Sequence, residues 1–264
     1  MTSVVDERAA IASFYDEWAV DYDAAHADWR ATVVAHGTLL AEALAARGIV
    51  PRARVLDCTC GIGTQAIGLA LQGYVVSASD LSALQIDRAR VEAATFGVEL
   101  DVAVADLLHL DSTVPASWRG FDSVISANSL THVGDEDTLV AAFSQMAGRC
   151  RSGAVIAVTN RDYDAVADRR PSSTSVQQTA LDGVRRASFQ LWDWSLDGHS
   201  YRMEDVLLSR SEEDPDGPWT VRSRATTLHA WRRADIDRAA FAAGLGDAEW
   251  TQRGHQPIAT FIVP

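Results

Sequence analysis

The chain has no lysine. All 23 basic side chains among its 264 residues are arginines, so each well-placed one is a permanent planar cation able to grip a carboxylate in a fork. Cysteine is scarce as well. Cys58, Cys60 and Cys150 form an odd, small set, which excludes a disulfide framework and points to free thiols in a reducing, cytoplasmic setting. Cys58 and Cys60 lack the second ligand pair that a metal centre needs. They read as thiols packed beside a bend, and no metal is expected. Positive charge is in deficit, the net charge being -13. Nucleic acid and anionic membrane would be repelled, so neither is expected as a partner. No apolar run nears the ~20 residues needed to span a bilayer, and no N-terminal stretch has the order of a signal peptide. What is there, 47% hydrophobic and 22% charged residues, is the composition of a soluble globular enzyme able to bury its own core.

Hydrophobic periodicity divides a single domain into four parts. Residues 1–50 read as a helical cap, with helices over 7–20 and 28–47 closed by Gly48 and Pro51. Residues 51–160 alternate. Strands are predicted at 54–58, 74–79, 98–105, 121–127 and 154–159, and helices at 63–71, 82–95 and 137–149. Strands separated by helix patterns predict an α/β fold with a doubly wound, mostly parallel sheet. Residues 161–230 break the rhythm. A polar, proline-interrupted stretch over 162–175 is followed by extended segments at 184–194, 200–210 and 219–229. Turn signals at Asp197-Gly198 and Pro215-Asp216-Gly217 join them. They predict an inserted antiparallel three-stranded meander, whose exposed edge leaves a homo-oligomer open. Residues 231–264 complete the core, with a helix at 234–243 and extended pieces near 248–252 and 258–263.

Acids close three successive predicted strands: Asp57, Asp80 and Asp106. Neighbouring strand ends form the crevice where open α/β sheets bind ligands. After the first acid comes Gly61-Ile62-Gly63-Thr64-Gln65-Ala66, which satisfies the fingerprint of a nicotinamide-dependent dehydrogenase. Asp57 argues against that cofactor, because its charge would face a pyrophosphate. Cys58-Thr59-Cys60 also adds polar length that a phosphate-hugging turn does not want. A sulfonium nucleoside with an amino-acid tail has no phosphate to repel, and nearby acids favour its positive charge. Asp80 can accept two hydrogen bonds from a ribose diol. Gly61 and Gly63 let the backbone approach the tail where a Cβ would clash.

These motifs resemble those of class I S-adenosylmethionine-dependent methyltransferases, and within them the glycine N-methyltransferase and glycine/sarcosine N-methyltransferase group. The likeness covers about residues 50–165 in motif and the rest in pattern. Val55-Leu56-Asp57 with Cys60-Gly61-x-Gly63 matches the cofactor loop. Ser79-Asp80-Leu81-Ser82 matches the ribose-binding acid, and Ala105-Asp106-Leu107 the adenine-contacting segment. Ala127-Asn128-Ser129-Leu130-Thr131-His132 resembles a motif in which an Asn meets the substrate amine and a His lies near the cofactor. Arg161-Asp162-Tyr163-Asp164 resembles a segment whose Arg holds the substrate carboxylate. The resemblance implies a Rossmann-like methyltransferase fold with S-adenosyl-L-methionine as cofactor. It implies cofactor contacts at Asp57, Cys60, Gly61, Gly63, Asp80, Leu81, Asp106, Leu107, Ala127 and His132. It implies catalytic roles for Asn128, His132, Arg161 and Tyr163. The chain departs from the pattern at Thr59, usually Gly or Ala, at Leu130 and Thr131, and at Asp162, which stands for Asn.

Each residue also has a plain structural reading. Asp80 can cap a helix, Asp106 can sit in a turn, and His132 can be a packed histidine at a helix start. Tyr163, Trp192, Trp194 and Tyr201 can pack the meander onto the core or line a substrate mouth. Tyr22, and with it Tyr15, is a candidate to close over the cofactor, and Arg170 is a second candidate cation. The expected activity is N-methylation of an amino acid or amino-acid-like small molecule. Two alternatives stay open: O- or C-methylation, which needs a base such as His132 or His229, and a fold kept for binding or other chemistry.

Overall fold

The computed structural model describes residues 4–181, 183–253 and 256–264. Helix α1 (Val4–Trp18) leads through a short 3-10 turn (Tyr22–Ala25) to α2 (Trp29–Ala46). The core then runs β1 (Arg54–Asp57), α3 (Thr64–Leu71), β2 (Val75–Asp80), α4 (Ala83–Phe96), β3 (Asp101–Val104), α5 (Leu110–Thr113), β4 (Phe121–Ala127), α6 (Glu136–Ala147) and β5 (Cys150–Thr159). After the single turn α7 (Tyr163–Val166) come β6 (Gln177–Leu181), β7 (Val184–Trp194), β8 (Ser200–Ser211) and β9 (Thr220–His229). The chain finishes with α8 (Arg233–Ala242), β10 (Glu249–Arg253) and β11 (Gln256–Ile262). Short polar side chains start the helices where the sequence places them. Asp28 accepts a hydrogen bond from the Ala31 N–H, Ser82 from Gln85 and Asp135 from Thr138, each satisfying a donor that the first turn leaves open.

The described residues build two sheets. The larger has the order β10-β11-β5-β4-β1-β2-β3, with β11 antiparallel to both neighbours. The order reverses between β1 and β4, which makes their carboxyl ends the ligand crevice of a doubly wound sheet. Side chains alternate across it. Val55, Ile125, Val155 and Ile258 pack with Leu40 and Leu44 of α2 and Leu69 of α3. Leu56, Val124, Ile156 and Phe261 pack with Phe143 of α6 and Ile236 of α8. Cover on both faces explains why these strands read as continuous apolar runs. Gly37 of α2 and Gly68 of α3 set the distance between cap and core. A Cβ on Gly37 would come within 2.3 Å of the Gly68 carbonyl carbon, and one on Gly68 within 2.5 Å of the Val33 oxygen.

The smaller sheet is antiparallel, in the order β6-β7-β8-β9. The insertion therefore has four strands where the sequence predicts three. Strand β6 escapes the pattern because residues 176–178 and 180 are exposed, so no alternating apolar face marks it. Strand β3 is shorter than predicted, since the Val98 N–H is spent on the Ala93 carbonyl that closes α4. Strand β5 starts earlier, where Cys150 pairs with Phe121 ahead of an irregularity. Trp192, Tyr201, Met203 and Leu228 on the smaller sheet pack against Phe14 of α1 and Tyr163 of α7. Helix α1 is thus held between the smaller sheet and the crevice of the larger one.

Candidate active site

A cavity opens at the carboxyl ends of β1, β2 and β4. Its floor is Cys58, Thr59, Cys60 and Gly61 after β1, Asp80 and Leu81 at the end of β2, and Leu107 beyond β3. Ala127, Asn128, Ser129 and His132 line it from β4, and Arg8, Ile11, Tyr15 and Tyr22 roof it.

Asp80 organises the loop. Its Oδ2 accepts from the Gly61 N–H at 2.8 Å and its Oδ1 from the Ser82 N–H at 2.9 Å. Each oxygen keeps a lone pair for a ligand. Burial raises its pKa, and backbone hydrogen bonds from Ser82 and Gly61 oppose the rise. Gly61 (φ +55°) and Gly63 (φ +97°) adopt left-handed conformations, which glycine takes at no steric cost. Asp57 lies beneath the loop, fully buried, with Oδ2 unpartnered among the described residues. Burial pushes it up to about 7, against a hydrogen bond from the Thr59 N–H, and the Asp80 charge adds to the rise.

Asn128 closes β4 at φ +54° and donates its backbone N–H to the Thr159 carbonyl at 2.9 Å. Asparagine tolerates that region better than other side chains with a Cβ. His132 follows in a 3-10 turn. Its Nε2 lies 2.8 Å from the Tyr15 hydroxyl, and its buried Nδ1 has no partner among the described residues. Burial holds His132 down to about 4, helped by the Arg8 and His229 charges, so the ring is neutral near pH 7. Burial also pushes Tyr22 up to about 12. Arg8 donates from Nε to Asp106 Oδ2 at 3.2 Å and from Nη2 to Oδ1. Burial works upward on Asp106, but the Arg8 and Leu108 hydrogen bonds hold its pKa below the usual carboxylate value.

The cavity gathers Tyr22, Cys60, Gly61, Asp80, Leu81, Leu107, Ala127, Asn128 and His132. Asp57 and Gly63 sit under the loop, and Asp106 stands beside the wall in the grip of Arg8. Arg161 and Tyr163 lie outside this wall. The Arg161 guanidinium stacks on Trp192, 4.2 Å from the ring centroid, and reaches Gln190 Oε1 at 3.5 Å. It borders a second cavity on the smaller sheet. Tyr163 is buried, its hydroxyl 2.9 Å from that of Tyr201. Arg170 is tied to the Leu196 carbonyl at 2.8 Å. Asp162 and Asp164 pair with Arg233 at 3.4 and 3.6 Å. Sequence reasoning missed Arg8 and Ile11. Their spacing to Tyr15, three and then four residues, puts all three on one face of α1 and was the available signal. Among the described residues no group of acids, histidines and cysteines could hold a metal ion, and no helix is long and apolar enough to cross a membrane.

An acid-braced glycine turn in a doubly wound sheet defines a nucleoside-binding α/β enzyme. Residues 55–153 match the family model of a methyltransferase domain. The chain is 30% identical over 201 residues to the ubiquinone biosynthesis O-methyltransferase of Xylella fastidiosa, covering 72% of this chain and 73% of that one. It is 33% identical over 123 residues to the glycine N-methyltransferase of Rattus norvegicus, covering 43% and 42%. In fold it is similar to an amino pentose methyltransferase from Micromonospora echinaspora with S-adenosylmethionine bound, at a TM-score of 0.71, 16% identity and coverage of 94% and 97%. The chain belongs to the class I S-adenosylmethionine-dependent methyltransferases, and S-adenosylmethionine is its cofactor. The cavity fits that group. Asp80 keeps lone pairs for a diol, the turn at Gly61 presents no Cβ, His132 is neutral, and Arg8, the cation of the roof, is paired with Asp106.

Proposed function

We propose that this methyltransferase acts on a small molecule and methylates nitrogen, the acceptor being an amino acid or amino-acid-like amine. His132 carries the reading, since His229, the other candidate base, does not line the cavity. Held near 4 by burial, the His132 imidazole is too weak a base to deprotonate a hydroxyl, whereas an amine that has already lost its proton needs no base. Held by the residues of the first cavity, S-adenosylmethionine would supply an activated methyl group to the amine lone pair, with sulfur keeping the C–S electron pair and the product amine releasing a proton to solvent.

The chain's own task is alignment and exclusion of water. Asp80 takes the ribose hydroxyls, and Asp106 with Leu107 borders the adenine. Asp57 and Gly63 hold the loop from below, while Cys60, Gly61, Leu81 and Ala127 shape its surface. Tyr15 and Tyr22 close the roof. Asn128 accepts an N–H of the acceptor amine and orients it. Arg161 follows two residues beyond Thr159, the backbone partner of Asn128, and borders the second cavity. It makes no ion pair among the described residues, and its guanidinium is available to a carboxylate. Tyr163 supports it from behind through Tyr201. The cap of residues 1–50 and the insertion of residues 161–230 enclose the acceptor over a cofactor-binding core of residues 51–160, completed by 231–264.

A mass-spectrometric screen of amino acids, amines and catechols for products heavier by one methylene unit tests the reading. Methylated amines are expected. Methylated catechols with no amine product would support the O-methyl alternative, which the likeness to the ubiquinone biosynthesis O-methyltransferase favours. Arg161→Ala is expected to raise the acceptor KM by roughly ten- to a hundredfold, because a lost charged hydrogen bond costs ~1.5–3 kcal/mol, while kcat changes little. An unchanged KM removes Arg161 from the carboxylate site.

A further inference from the structure

On the inner face of the smaller sheet, two rows that carry aromatic side chains give way to a polar one. Strand register aligns Trp194, Tyr201 and Leu228 across β7, β8 and β9, then Trp192, Met203 and Thr226, then Gln190, Asp205 and Arg224. The third row is polar, yet Asp205 is only 6% exposed. Burying an acid and a guanidinium on an aromatic face is costly. Arg224 neutralises part of that cost, through Nε at 3.3 Å and Nη2 at 3.1 Å. Both contacts fall on Oδ2. None of the hydrogen bonds among the described residues falls on Oδ1, which leaves one oxygen of a buried carboxylate unused.

Asp205 borders the second cavity, of about 260 Å³, together with Arg161, Thr174, Ser188, Gln190 and Trp18. Trp18 borders this cavity and stacks on Tyr15 of the first, with ring centroids 5.9 Å apart. Arg161 follows two residues beyond Thr159, whose carbonyl accepts the Asn128 N–H. In the proposed pose, with its nitrogen at Asn128 and its carboxylate on Arg161, an α-amino acid would direct its side chain to the second cavity, lined by the Thr174 and Ser188 hydroxyls, the Gln190 amide and Asp205. Glycine would leave that chamber empty.

Resting on the amino-acid reading above, we infer that Asp205 is a specificity-determining residue. The second cavity takes an acceptor side chain that ends in an ammonium group, a basic α-amino acid of a few methylenes. A site built to receive a donor rejects an analogue that lacks it.

The test compares L-ornithine, L-norvaline and glycine as acceptors. The wild-type protein is expected to favour ornithine over norvaline by about tenfold or more in kcat/KM, the worth of one charge-assisted hydrogen bond. Asp205→Asn is expected to bring that ratio close to one. Because Asp205 also holds Arg224, calorimetric binding of ornithine and norvaline to the wild-type protein, saturated with S-adenosylhomocysteine, provides a measurement that needs no variant. Tighter ornithine binding supports the assignment. Turnover of all three acceptors without preference, or with glycine best, overturns it and leaves N-methylation standing. Turnover of none of them, with catechols methylated instead, overturns the N-methyl reading and this inference together.

Discussion

Tyr15 and His132 are 117 positions apart in sequence, and their hydroxyl and Nε2 atoms are 2.8 Å apart in space. The contact joins the roof of the cavity to its floor. Because Nδ1 is buried with no partner among the described residues, the Tyr15 hydroxyl is the contact that sets the imidazole tautomer. Tyr15→Phe removes that partner from a buried ring. The expected cost is ~1–3 kcal/mol for the unsatisfied atom, seen as a melting temperature lower by several degrees. Nitrogen NMR of the imidazole should show tautomer averaging that the wild-type protein lacks. Identical spectra would mean that the hydroxyl does not set the ring.

Two buried groups give the cofactor-free protein opposing pH dependences. Asp57 titrates near 7 in the fold and at 3.8 as a free side chain. Its contribution is complete below 3.8 and is lost as pH rises through about 7. His132 titrates near 4 in the fold and at 6.5 when free, so its contribution is present above 6.5 and is lost as pH falls through about 4. The slopes oppose each other over much of that range. Asp57→Asn removes the falling slope that opposes His132, whose rise is joined by those of His26, His36 and His229, all held down by burial. Its melting temperature should climb from pH 4 to 6.5 and then level, whereas the wild-type curve declines toward pH 7. Parallel curves for the two proteins would disprove the buried, protonated Asp57.

Arg224 ties the roof to the smaller sheet. Its guanidinium meets Asp21 at 2.8 Å and Asp205 at 3.1 Å, and donates to the Glu17 carbonyl at 3.1 Å. It also sits 5.2 Å from the Trp18 ring centroid. Arg224→Gln strands Asp205 and leaves Asp21 only Arg222, at 3.4 Å, a loss of ~3–5 kcal/mol for a broken buried pair. It also frees the end of α1, and the cofactor should leave about ten times faster, as read by stopped-flow tryptophan fluorescence. Arg224→Lys should restore only part of this, because a point cation cannot span three acceptors in a plane. An unaltered release rate in Arg224→Gln would show that the roof is held elsewhere.

Gly68→Ala tests the approach of cap and core. The new Cβ meets the Val33 carbonyl oxygen at 2.5 Å, a backbone atom that cannot rotate away. Overpacking of this kind costs ~1–3 kcal/mol, and thermal melts should show the loss. An unchanged melting temperature would mean that α2 can shift outward freely.

Much of the fold is legible because parallel strands under two layers of helix must be apolar throughout, and Asp57, Asp80 and Asn128 each end such a run. Strand β6 is illegible because an edge strand exposed on most of its length carries no burial pattern. The loop acids and glycines can be read from their local spacing, since the chain folds back over a few residues. Arg8 and Ile11 share a helix face with Tyr15, but that they and Asp205 reach the sites is set by tertiary contacts. Arg8 grips Asp106, 98 positions away, and Asp205 borders a cavity made by five separate segments. Arg161 and Asn128 stand on neighbouring strand ends, but which cavity each one borders follows from the packing of Trp18, which its sequence context does not reveal.

The left-handed backbone of Asn128 ties robustness and activity into a trade-off. Glycine would relax the φ of +54° at that position, yet it would erase the amide proposed to orient the acceptor. A lineage pressed toward heat tolerance would find an easy gain closed there, and would have to gather its improvements far from the crevice.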